Sequence, residues 1–207
     1  MSAQEVDEFF EQYVYGFILA DIEREIAFAK SGLQVEGNSR LYSGGGNYLC
    51  ALGLLCYTEF MGAIYLRTFD KTPHQLFNAF FYLMGPSYKA FDEQLGKRPS
   101  MSNPKRKLSV YEVFRCGMAH EYFIKRNGVI GMLSGCVNMY ATIDGDKPAL
   151  GGGPSVLIGP VQYGIGMFDD GKYFFVVEQY YKDFADTCRK VYDTIMSSPN
   201  PTIPKSQ

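Results

Sequence analysis

Residues 48 to 66 read YLCALGLLCYTEFMGAIYL, a run with a single charge. A stretch this apolar leaves the chain two main options. It either crosses a bilayer, for which it is nearly long enough, or forms the central helix of a bundle whose other elements cover it. Glu59 lies just past the middle, and the run also holds three tyrosines and two glycines. Placing that carboxyl group in hydrocarbon would cost several kcal/mol. The expectation is a core helix of a soluble protein with no membrane contact, in which Glu59 is buried and needs a polar partner.

At 207 residues the chain is long enough to supply that cover from one domain. From Glu5 to about Lys30, Phe9, Phe10, Tyr13, Phe17, Ala20, Ile26 and Phe28 recur at roughly helical spacing. The glycine-rich SGLQVEGNSRLYSGGGN then ends this first helix. A second helix covers about Asn47 to Arg67. Thr72 fits the N-cap and Pro73 the first position of a third, which runs to about Leu95 with a kink or break near Leu83 ahead of Gly85-Pro86. In GKRPSMSNPKRK five basic residues and two prolines make an exposed loop. Ser109 and Glu112 form the capping box of a fourth helix.

From Gly128 the period changes to two. Val137, Met139, Ala141 and Ile143 alternate with polar residues before the turn-like DGDKP, and a second apolar run follows. Asp170-Gly171 then suits a hairpin turn into a third run, Lys172 to Val177. The last helix carries Tyr180, Phe184, Cys188, Val191, Tyr192 and Ile195 on one face. The fold class expected is mainly α: a helical bundle with a small antiparallel β meander inserted before the C-terminal helix. Residues 1–198 form one domain with the strand-rich insertion at about 129–178, and 199–207 form a disordered tail.

Twenty Lys plus Arg against 22 Asp plus Glu leave the chain near neutral, so any affinity for nucleic acid must be local. Five cysteines without a CxxC pair, and only two histidines, argue against a disulfide framework and a zinc site. A reducing cytoplasm fits, and the acidic, amphipathic N-terminus is unlike a signal peptide. GGGNY and GGGPS lack the Lys-Ser/Thr of a phosphate-binding loop and read as turns. His74, beside Pro73, reads as a surface residue. No cofactor or metal is expected.

The motif that remains is YEVFRCGMAHEYF, with Arg115 and His120 on the fourth helix. Imidazole accepts a proton near neutral pH, and a guanidinium fork suits a phosphorane's charge. If the pair were only structural, Arg115 would pair with Glu112 or Glu121. At about 100° per residue the two side chains point about 140° apart, so both can reach one phosphate only if two copies of the helix face each other across a two-fold axis.

Arg, four residues, then His, on a helix late in a bundle, resembles the signature of the HEPN superfamily. An aromatic residue before the arginine and an acid and an aromatic after the histidine fit the same pattern. The resemblance covers the first four helices and the last. It implies a homodimeric, metal-independent endoribonuclease with His120 as general base and Arg115 stabilising the transition state, of the kind found in toxin–antitoxin and defence systems. Other members of the superfamily are non-catalytic modules that bind a partner protein or nucleotide. Cys116 stands where catalytic members often carry a small polar residue, and Glu121, Tyr111 and Tyr122 are the supporting positions around the pair. Lys97, Arg98, Lys105, Arg106 and Lys107, leading into the motif helix, are the candidates for RNA phosphates.

Overall fold

The computed structural model describes residues 2–31, 46–98, 107–124, 128–132, 143–144, 147–148, 163–167 and 172–204. The first helix starts at a capping box in which Ser2 caps Glu5 and Glu5 reaches back to the Ser2 amide. It then runs through α1 (Ala3–Phe9), a π-helical stretch (Phe10–Leu19) and α2 (Ala20–Ser31). A side chain repeated every four residues drifts about 40° per step around an α-helix. The π-helical stretch, bonded i→i+5, winds wider and turns the stripe back. Val6, Phe10, Val14, Ile18, Ile22 and Ile26 therefore all stay buried. The winding also explains Gly16, since a Cβ there would lie 2.8 Å from the Glu11 carbonyl oxygen five residues back. The aromatic spacing in the sequence is misleading here: Tyr13, Phe17 and Phe28 remain exposed.

Helix α3 (Asn47–Leu66) is the apolar run. It is long and apolar enough to cross a membrane, and in the fold it buries Cys50, Ala51, Leu54, Leu55, Thr58, Met61, Gly62, Ala63 and Ile64. Helix α4 (Pro73–Phe81) returns alongside it, started by the Thr72–Gln75 capping box with Pro73 in the first turn. Contact between the two is close enough that a Cβ on Gly62 would fall 1.8 Å from the Leu76 carbonyl oxygen. The expected break comes as a 3-10 turn (Tyr82–Met84) and Gly85 at φ 150°. Helix α5 (Pro86–Gly96) follows.

The motif helix is π-helical over Tyr111–Cys116 and continues as α6 (Gly117–Glu121). Ser109 caps it through the Glu112 amide, 3.2 Å away, as its spacing predicts. The last helix, α7 (Val177–Met196), lays Tyr180, Phe184, Cys188, Val191 and Ile195 into the core. There Thr58 and Tyr180 share a hydrogen bond of 2.9 Å, and the Tyr180 ring packs 4.6 Å from Phe175.

The chain is mainly helical, with a small three-stranded sheet before the C-terminal helix, as expected, but the sheet is not an antiparallel meander. Strand β1 (Val129–Gly131) pairs parallel with β5 (Tyr173–Val176), matching Ile130 to Phe175. On the other side of β5, β4 (Ile165–Met167) pairs antiparallel, matching Gly166 to Phe174, so the order is β1-β5-β4. β2 (Ile143–Asp144) and β3 (Lys147–Pro148) form a separate antiparallel pair flanking the expected turn. Most of the alternating run from Val137, and the Asp170-Gly171 turn, lie outside the described residues.

The tail also departs from expectation. Arg67, which closes α3 at φ 56°, donates to the Asn200 carbonyl at 3.0 Å and to Ser198 Oγ at 2.8 Å. These bonds hold residues beyond α7 against the bundle, and Ile203 is buried. A residue next to three prolines adds little to core patterning, which is why the sequence hides this anchor.

Candidate functional site

The motif helix is fixed at its start by α5. Asp92, buried on α5, accepts from the Val110 amide at 2.7 Å and from the Tyr82 hydroxyl at 2.6 Å. The first of these satisfies a helix amide that has no partner within the helix. Nothing in the sequence around Asp92 marks it for this role.

Arg115 lies on the π-helical part of the motif. Its Nε stands 3.0 Å from Glu59 Oε2, and the two side chains are 21% and 20% exposed. This pair answers two questions from the sequence at once: Glu59 has its partner, and the carboxylate facing Arg115 comes from α3. The two atoms are buried and near enough for an ion pair but not aligned for a hydrogen bond. The guanidinium carbon also sits 5.7 Å from the centre of the Tyr111 ring, within cation–π range.

Tyr111 is the hub of the cluster. Phe77 meets its ring edge-on at 5.6 Å and His74 lies 5.4 Å away, held by Asn78 at 3.2 Å. Burial, aided by Cys116 and Glu59 and opposed by Arg115, pushes the Tyr111 hydroxyl up to about 12. Cys116, on the same π-helical segment as Tyr111 and Arg115, is a half-buried free thiol. Burial likewise raises the Cys56 thiol, against the lowering effect of Arg115. His74 is thus an exposed histidine, as expected, but it contacts the motif. Only the α3–α4 pairing could bring it there.

His120 is exposed on the last turn of α6 and makes no hydrogen bond or ion pair among the described residues. The π-helical segment ends at Cys116, so α-helical geometry governs most of the path from Arg115 to His120, and the two side chains face different ways. Glu121 is exposed beside His120. Tyr122 follows at φ 59°, 79% exposed.

Lys97 and Arg98 close α5, and Lys107 is exposed just before Ser109. Lys105 and Arg106 lie outside the described residues. The described basic residues stand at the start of the motif helix and His120 at its end, about 15 Å along the axis. Phosphate contacts at both would require a strand lying along the helix.

No family model, curated protein or solved structure matches the chain. Among the described residues no group of three His, Cys, Asp or Glu side chains is placed to hold a metal ion. The arrangement offers a fixed cation, an accessible imidazole and aromatic surface on one short helix.

Proposed function

We propose that the chain is a HEPN-like, metal-independent endoribonuclease working as a homodimer in the cytoplasm. The observation that carries this is the contrast within the motif: Glu59 and Tyr111 hold Arg115 in place, while His120 on the same helix stays exposed. In the reaction His120 takes the proton of a ribose 2′-hydroxyl, and the oxygen attacks the adjacent phosphorus. Arg115 stabilises the extra negative charge as the 5′-oxygen leaves with a proton from water. The products are a 2′,3′-cyclic phosphate and a 5′-hydroxyl.

One observation favours a second reading, a non-catalytic module that binds a partner protein or nucleotide: Arg115 already faces a carboxylate. Incubation of a mixed RNA pool with wild type, His120→Ala and Arg115→Lys separates the two. Cleavage by wild type with chelator present, cyclic-phosphate ends, loss of cleavage in both variants and an unchanged thermal midpoint for His120→Ala are the expected results. Intact RNA at high wild-type concentration, with a His120→Ala protein that melts several degrees lower, leaves the non-catalytic module.

A further inference from the structure

The π-helical winding that keeps the apolar stripe of the first helix buried also aligns the positions one residue before it. Glu5, Phe9, Tyr13, Phe17 and Asp21 therefore form a row, four residues apart. Phe9 packs partly on the core, and Tyr13 stacks on it with ring centroids 5.5 Å apart. The Tyr13 and Phe17 side chains are nonetheless 56% and 57% exposed. The adjoining stripe fills the core without them, so folding of this chain gives neither ring its cover. Gly16, Glu8 and Glu11 are exposed around the same row. Residues 1–23 hold six carboxylates and no Lys or Arg, and the first cation, Arg24, is paired with Asp21.

We propose that this row is the docking face for a basic amphipathic helix of a partner protein. The aromatic centre and the acidic surround together set the chemistry of the occupant. Apolar residues along one side of the partner cover the two rings, and its Lys or Arg side chains meet the carboxylates or lie over the ring faces. About 20 Å separates Glu5 from Asp21, so a partner helix of about four turns reaches both ends. The same charge argues against the other occupants. In a parallel or an antiparallel pairing with a second copy, the acids of one helix face the acids of the other. The phosphates of a nucleic acid or an anionic membrane meet the same negative field. The face lies on a different helix from Arg115 and does not rest on the ribonuclease reading.

The test uses the full chain and a fluorescein-labelled amphipathic peptide of leucine and lysine, about four turns long. Wild type should bind it, less tightly as salt is added. Phe17→Gln and Tyr13→Gln should each weaken binding about 10-fold or more at unchanged thermal midpoints, because both rings are more than half exposed. A Glu8→Lys, Glu11→Lys double variant should weaken it by a similar factor and flatten the salt dependence. Tyr122→Asn, which removes a 79% exposed ring from the motif helix, should bind like wild type. The proposal is overturned if wild type does not bind, if the Phe17 and Tyr13 variants bind within twofold of wild type, or if a peptide with glutamate in place of lysine binds equally well. A Phe17→Gln protein that melts lower makes the ring a packing contact, and one that turns an oligomer into a monomer gives the face to a second copy. Either result overturns the proposal too.

Discussion

Glu59 and Arg115 each look out of place alone, a carboxylate in an apolar helix and a cation on an amphipathic one, and each accounts for the other. Removing either leaves the remaining charge mostly shielded from water, so Glu59→Gln and Arg115→Gln should each cost about 3 kcal/mol. The double variant should cost clearly less than the sum, because two neutral amides leave no unpaired charge. Urea unfolding of the four proteins measures this coupling. Strict additivity would mean that the two charges do not interact. The sequence made half of this legible, since a lone acid in an apolar run demands a partner. It could not say which arginine, because that depends on how α3 crosses the motif helix. The involvement of His74 was hidden for the same reason.

Among the elements, local signals were readable wherever the chain's own chemistry settles the backbone. The Thr72–Gln75 box, Ser109 and the Gly85-Pro86 break each act within a few residues. Longer-range choices were not readable. β1 pairs with β5 across a long crossover, whereas neighbouring runs suggest a meander, and the π-helical winding is set by which face the core accepts. The α3–α4 seam gives the sharpest prediction at this scale. At Gly62 an added methyl would meet backbone rather than a flexible side chain. Gly62→Ala should therefore cost about 3 kcal/mol and lower the urea midpoint even though alanine favours helix. A Gly62→Ala protein as stable as wild type would mean that the two helices do not touch there.

Across the whole molecule, burial has gathered phenols and thiols into one core, and this gives stability a direction with pH. Tyr15, like Tyr111, is pushed from 10.0 to about 12, and Cys50 from 9.0 to about 11, with burial the first cause. Tyr82, Tyr88, Tyr180, Tyr181 and Cys188 are raised as well, again chiefly by burial. Each group holds its proton more tightly folded than unfolded, so its contribution is complete below the ordinary value and is lost as pH climbs toward the raised one. Alkali should unfold the protein between about pH 10 and 12, with the rise in phenolate absorbance coinciding with loss of helical circular dichroism. Most tyrosines ionising near pH 10 with helices intact would contradict this core. The burial of α3 against α7 also has a consequence during synthesis. Roughly 110 residues separate the two helices, so a ribosome adding about 5–20 residues per second leaves a span-like segment without its final cover for about 5 to 20 seconds. During that interval the cover available from the chain itself comes from helices completed before α7, among them α2 and α4.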